Sequence, residues 1–291
     1  MKVTIQTETT KEPLNLIGYQ AGVCWHADTT DKEKNIKRAL NCINSHHDRL
    51  LEFPQIYLTI EGVSIRCMRE FYTHIGGLPT RLQDSTRRVN YLEADYYVPY
   101  TNQDDPLAKV YINSMAAISK EYKKMLEAGI SVENAGYALP LALTSTVNVR
   151  MNLRELIAMC GQRMCLKALR EYVILMRLIV RALCDYSDDY KKISYLLVPK
   201  CKQLGYCPES EPCGYMANTL SQTQAKRVLL GLDDYHNPPK KVLDIEPAKS
   251  DNELGWSDQA GRCPQCQSTV LSNFEYCPSC GQCLDWVENE A

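Results

Sequence analysis

Apolar positions recur along this chain with two different periods. Val3 and Ile5 alternate with polar neighbours, which predicts a strand over Met1 to Thr7. Ile56, Leu58 and Ile60 alternate in the same way, predicting a second strand over Gln55 to Val63. Between them Ile36, Leu40, Ile43, His47 and Leu50 fall on one helical stripe, so Asp31 to Leu51 is expected to be an amphipathic helix. Arg66 to His74 predicts a helix that ends before Gly76-Gly77. Pro106 to Leu126 predicts a long helix, with proline at its start and Gly129 past its end. Ser131 is placed to cap a short helix reaching Gly136, and Ala138 to Val149 reads as extended or irregular. Asn152 followed by Glu155 matches a helix-start capping pattern, and the helical pattern continues to about Tyr186. The expected class is α+β: a mostly antiparallel sheet flanked by long helices, plus a small C-terminal zinc ribbon.

Prolines and charges replace apolar residues over Asp233 to Arg262, which reads as a linker. The expected organisation is a main domain over 1–215, a helix and linker over 216–260, and a ribbon over 261–291. Residues total 291, of which 45% are hydrophobic and 23% charged, which is ordinary globular usage. A formal net charge of -2 argues against nucleic-acid binding by bulk charge. The longest apolar stretch, Tyr172 to Cys184, is broken by Arg177 and Arg181, and no signal peptide is visible, so no membrane residence and a cytoplasmic location are expected.

The chain has 14 cysteines. Cys263-Pro-Gln-Cys266 and, ten residues on, Cys277-Pro-Ser-Cys280-Gly form two CxxC knuckles. Such spacing places four thiolates tetrahedrally around one zinc ion, and a ribbon this small depends on the metal to fold. A second set, Cys201, Cys207 and Cys213, reads either as three metal ligands awaiting a fourth or as buried thiols in a compact turn.

Several segments, in order, resemble the flavin-dependent thymidylate synthases. They are Ala21-Gly-Val-Cys-Trp25, His47-Asp-Arg-Leu-Leu-Glu52-Phe53, Ile60-Glu-Gly-Val-Ser64 and Gln83-Asp-Ser-Thr-Arg87. Ala138-Leu-Pro140, Asn152-Leu-Arg-Glu-Leu156 and Arg163 to Glu171 follow, and Cys201 to Gly214 is similar to a cysteine-bearing tail of some members. The resemblance covers roughly Lys2 to Gly214. It implies a flavoprotein methyltransferase of nucleotide biosynthesis, a homotetramer with FAD and dUMP at subunit junctions. It further implies one-carbon transfer from methylenetetrahydrofolate, with the flavin reduced by NADPH. By the resemblance Gln83, Ser85 and Arg87 contact dUMP, Arg163 acts catalytically at the pyrimidine ring, and His47 and His74 hold the cofactor.

Some positions depart from the family pattern. Thr73 and Ile75 stand where arginines flank the central histidine, Gly136 replaces an arginine, Arg49 replaces a serine and Phe53 a histidine. Arg49 and Arg81 are candidates to take over phosphate binding. Two alternatives stay open beside dUMP methylation: action on a related pyrimidine nucleotide, and a catalytically decayed binding or regulatory paralogue.

Overall fold

The computed structural model describes residues 1–74, 80–100, 105–213, 215–216, 240–247, 259–264, 267, 269–271 and 284–285. The chain divides into two compact units, Met1–Cys160 with Glu171–Leu197, and Gly161–Arg170 with Val198–Ala291. The expected main domain over 1–215 is therefore divided differently: residues 161–170 and those from 198 onward group together.

The first unit is built on a four-stranded antiparallel sheet of β1 (Lys2–Ile5), β2 (Gln55–Ser64), β3 (Thr80–Gln83) and β4 (Thr144–Asn152), in the order β1-β2-β4-β3. The alternation in β2 buries Ile56, Leu58 and Ile60 completely. Strand β4, in a stretch expected to be extended or irregular, is one of the two inner strands. Its Val147, Val149 and Met151 are buried while Thr146 and Asn148 are exposed, because pairing on both edges imposes the two-residue period. The β2–β4 register shifts between Ile60 and Val63, where Gly62 takes φ 73°, a conformation that favours glycine at a bulge.

Nine helices are described, and side-chain caps open several of them, among them the Asn152 cap read from the sequence. Asp31 accepts from the backbone N–H of Glu33 and Lys34 at the head of α2 (Lys32–Asn44). Asp105 accepts from Leu107 N–H at 2.7 Å ahead of Pro106, opening α4 (Pro106–Glu127). Asn152 accepts from Glu155 N–H at 2.8 Å at the start of α6 (Leu153–Arg163). The expected continuous helix to Tyr186 is interrupted: α6 ends at Arg163 and α7 (Arg170–Tyr186) starts afresh. The interruption coincides with the crossing from one compact unit to the other.

Helix α1 (Pro13–Cys24) was not expected from the sequence. It packs on α2 so closely that an ideal Cβ on Gly18 would lie 1.8 Å from the carbonyl oxygen of Asn35. Arg38 fastens the crossing by donating to the Gly18 carbonyl at 2.9 Å, to Asn35 Oδ1 at 2.6 Å and to the Asp28 carbonyl at 3.0 Å. The α1 head has no side-chain cap of its own. Asp189, on α8 (Asp188–Lys192), accepts from Leu14 N–H at 3.2 Å instead.

Helix α3 (Ile65–Phe71) is capped by Ser64, whose Oγ accepts from Cys67 N–H at 3.0 Å. The same serine donates through its Oγ and its N–H to the buried Glu171 carboxylate, and Phe71 stacks on Tyr172 at 5.8 Å between ring centroids. These contacts seat the head of α7 against the end of β2. Helix α5 (Val132–Ala135) is capped by Ser131, as its sequence indicates.

The second unit contains α9 (Lys200–Leu204) and five short strands: β5 (Lys240–Lys241), β6 (Leu243–Pro247), β7 (Gln259–Arg262), β8 (Thr269–Leu271) and β9 (Leu284–Asp285). β6, β7 and β8 form an antiparallel sheet, and β5 pairs with β9 in parallel. Parts of the stretch expected to be a linker are thus strands, and the rest of it lies outside the described residues. Among the described residues, no helix is long and apolar enough to cross a membrane.

Candidate functional site

Two helices of the first unit end in the same way. At the end of α2, His46 N–H donates to Ile43 O at 3.0 Å and His47 N–H to Cys42 O at 2.9 Å, with His46 at φ 57°. At the end of α1, His26 N–H donates to Val23 O at 3.3 Å and Ala27 N–H to Gly22 O at 2.9 Å, with His26 at φ 50°. Both are left-handed helix terminations that satisfy the last carbonyls, and both use histidine where glycine is the usual choice.

These terminations turn side chains toward a cleft of ≈ 580 Å³ lined by residues that include Trp25, His46, His47, Arg49 and Arg154. The volume is that of a small-molecule or cofactor pocket. Trp25 is 58% exposed and offers an aromatic face. Arg154 bonds Glu52 at 2.5 Å, tying the start of α6 to the short helix Asp48–Glu52 that carries Arg49. A planar aromatic wall, two imidazoles and two guanidinium groups suit a ligand with a flat ring and an anionic part.

His47 and Arg49 therefore share one cleft. His74 does not line it. It is 7% exposed, edge-on to Tyr172 at 6.1 Å, with Nδ1 3.9 Å from Glu155 Oε1. Burial pushes the Glu155 carboxyl above the ordinary carboxylate range, while the nearby Arg81 charge pulls the other way. Arg81, considered for phosphate binding, is engaged elsewhere. It donates to the carbonyls of Phe71 at 2.7 Å and His74 at 2.9 Å, closing the end of α3, and lies over the Tyr72 ring at 4.7 Å.

Gln83 ends the edge strand β3, and the chain then turns through Ser85 to Arg87. Ser85 O accepts from the N–H groups of Arg88 at 3.0 Å and Val89 at 2.9 Å. Arg87 is exposed, its Nε 2.7 Å from Glu133 Oε1. None of these three residues lines the cleft. Gly136, where the resemblance expects arginine, faces this turn: a Cβ there would sit 2.9 Å from the Thr86 carbonyl oxygen. The missing side chain is a consequence of close backbone approach. Arg163 closes α6, half-buried, in the second unit.

Cys263 is buried and follows β7. Its carbonyl accepts from Gln267 N–H at 2.9 Å, and Gln267 takes φ 65°. The turn joins β7 to β8, with Arg262 paired to Thr269. Cys266, Cys277 and Cys280 lie outside the described residues.

Sequence reasoning missed His46 and Arg154. The His46-His47 doublet at the end of an amphipathic pattern was a visible signal for the first. Nothing local marks Arg154, whose place depends on a partner 102 residues away.

Comparison with known proteins places the chain in a family. The family profile described as thymidylate synthase complementing protein matches residues 7–186. The flavin-dependent thymidylate synthase of Pyrococcus abyssi is 31% identical over 215 residues, covering 69% of this chain and 87% of that protein. The flavin-dependent thymidylate synthase of Nitratidesulfovibrio vulgaris is 26% identical over 233 residues, covering 70% and 91%. Among solved structures, flavin-dependent thymidylate synthase from Helicobacter pylori complexed with FAD and dUMP superposes with a TM-score of 0.53 at 18% identity, over 66% of this chain and 99% of that one. That likeness is one of fold. The matched span and the Pyrococcus identity establish that the chain belongs to the flavin-dependent thymidylate synthase family.

Proposed function

We propose that this protein methylates dUMP to dTMP, using FAD, methylenetetrahydrofolate and NADPH. The observation that carries the proposal is the cleft holding Trp25, His46, His47, Arg49 and Arg154 inside the span matched to the family. Its donors fit a flavin nucleotide: Trp25 offers a stacking face, and the imidazoles and Arg49 offer hydrogen bonds to ring edge and phosphate. When bound, the reduced flavin supplies the hydride and the folate supplies the carbon unit. The chain's own part is to bind and orient. Arg87 forks onto the nucleotide phosphate, the Ser85 hydroxyl adds a donor, and Gln83 reads the base. Arg163 faces charge developing on the pyrimidine carbonyls. His74, buried against Tyr172 and Glu155, acts from the interior rather than by touching cofactor.

The nucleotide-side residues stand outside the cleft, so a second copy of the chain is proposed to bring the two together in a homotetramer. Leu107 and Val110 on α4, 65% and 64% exposed, offer an apolar face for such contact. Light scattering on the purified chain checks this, and a monomer would remove it. A cytoplasmic location goes with the proposed cofactors.

The test is a visible absorption titration with FAD and then dUMP. A bound-flavin spectrum that shifts on adding dUMP is expected. Arg49→Ala should weaken FAD binding by about ten-fold, as loss of one charge-assisted bond implies. A wild-type protein that binds no flavin would overturn the proposal and point to a decayed paralogue.

A zinc ion is proposed for the C-terminal ribbon, held by Cys263, Cys266, Cys277 and Cys280. The Cys263 turn between β7 and β8, with its positive-φ Gln267, fits the first knuckle. Cys263→Ser should release about one zinc per chain and leave the first unit folded, checked by metal analysis and circular dichroism.

A further inference from the structure

Gln83, Ser85 and Arg87 stand at one foot of a loop, and Asp84, between the first two, has no part in the proposed reaction. Strand β3 stops at Gln83, opposite Val147 of β4. The pairing runs one residue further, because Asp84 N–H donates to the Thr146 carbonyl at 3.0 Å. The Asp84 side chain returns to the same strand. One carboxylate oxygen accepts from Thr146 N–H at 3.3 Å, and the other accepts from the hydroxyl of Ser145, a buried residue. The loop comes back to β4 beside its point of departure: the Asp95 carbonyl accepts from the N–H and the hydroxyl of Thr144, each at 3.0 Å. Both feet are thus pinned to the consecutive residues Thr144, Ser145 and Thr146. Between the feet, Tyr91 is buried with Tyr122, Ala135 and Leu143. The far foot is held through a backbone carbonyl, which any residue supplies. The near foot is held by a side chain that meets two donors with two separate oxygens, which an ionised carboxylate provides and an amide does not.

We infer that Asp84 is a positioning residue of the nucleotide site, fixing the foot of the loop so that Ser85 and Arg87 meet the phosphate of dUMP. The inference rests on the reading of those two residues as nucleotide ligands. Its sign separates it from a role of charge alone. A carboxylate beside phosphate ligands repels a phosphate, so by charge its removal would tighten dUMP binding. By positioning, its removal weakens binding. The foot loses two bonds to a charged acceptor, and the segment carrying Ser85 and Arg87 gains freedom that binding must then remove.

The test is calorimetric titration of dUMP into the FAD-loaded chain and its variants. Asp84→Ala should weaken dUMP binding about ten-fold. FAD affinity should hold, since Asp84 does not line the cleft. In turnover, KM for dUMP should rise by a larger factor than kcat falls. Asp84→Asn, which keeps one acceptor oxygen, should recover part of the loss. Ser145→Ala removes one of the two bonds without touching Asp84, and should weaken dUMP binding about three-fold even if Asp84→Ala does not fold. Asp95→Ala removes a carboxylate from the other foot but leaves the carbonyl that holds it, and should change nothing. Tighter or unchanged dUMP binding in Asp84→Ala and Ser145→Ala, with binding lost in Arg87→Ala, would overturn the inference alone. Unchanged binding in all three would overturn it together with the reading of Ser85 and Arg87. An equal loss of FAD affinity in Asp84→Ala would make its role one of general stability and overturn the inference as well.

Discussion

Gly18→Ala should cost the first unit about 3 kcal/mol of stability, the upper end of what overpacking does. The added methyl would lie 1.8 Å from the Asn35 carbonyl oxygen, 2.4 Å from its carbon and 2.7 Å from its Cα. All three are backbone atoms of α2, so no rotamer change relieves the clash. The helices must separate, and separation breaks the Arg38 bond to the Gly18 carbonyl. The same helices end at Trp25 and His47 on the cleft, so FAD affinity should fall with stability. Urea unfolding followed by circular dichroism reads the first effect and flavin titration the second. A variant within 0.5 kcal/mol of the parent, about the scatter of a neutral surface change, would show that α1 and α2 do not cross as described.

Arg87→Ala should weaken dUMP binding about 100-fold while barely changing stability. Its exposed pair with Glu133 contributes little to the fold, since both side chains remain in water. A forked bond to a phosphate in a site shielded from water is worth about 3 kcal/mol, which is the 100-fold figure. Glu133→Gln should act in the opposite direction, because it removes the carboxylate that competes with phosphate for the guanidinium. Calorimetric titration of dUMP into the FAD-loaded protein decides between them. Unchanged affinity in Arg87→Ala would take this residue out of the nucleotide site.

What the sequence disclosed depended on how each contact is made. Strands β1 and β2 were legible because alternating apolar side chains share one face, buried in β2 and half-buried in β1. Helix α1 was not, although Leu14, Ile17 and Ala21 recur at helical spacing. Its contact with α2 runs through Gly18, Gly22 and backbone oxygens, which add no hydrophobic signal. For the same reason the buried face of α2 is Asn35, Ala39, Cys42 and Ile43, rotated from the stripe of Ile36, Leu40 and Ile43 that hydropathy suggests. His47, which lines the cleft, was singled out through its motif. The seat of His74 beside Tyr172 and Glu155 required the packing of α6 and α7, which lie 80 residues or more farther along the chain. Arg81 looked like a free cation in sequence. Its partners are backbone carbonyls at the end of a helix, and any residue type supplies those.

The left-handed histidines at 26 and 46 both carry a stability cost, and the one at 46 sets that cost against the cleft it lines. Each costs of order 1 kcal/mol relative to a glycine in the same conformation. Glycine at such helix ends is a standard thermostabilising substitution. Applied at position 46 here, it would harden the helix while removing an imidazole from the cleft. An engineer seeking a heat-resistant form should leave that helix end alone and work on surfaces away from the cleft.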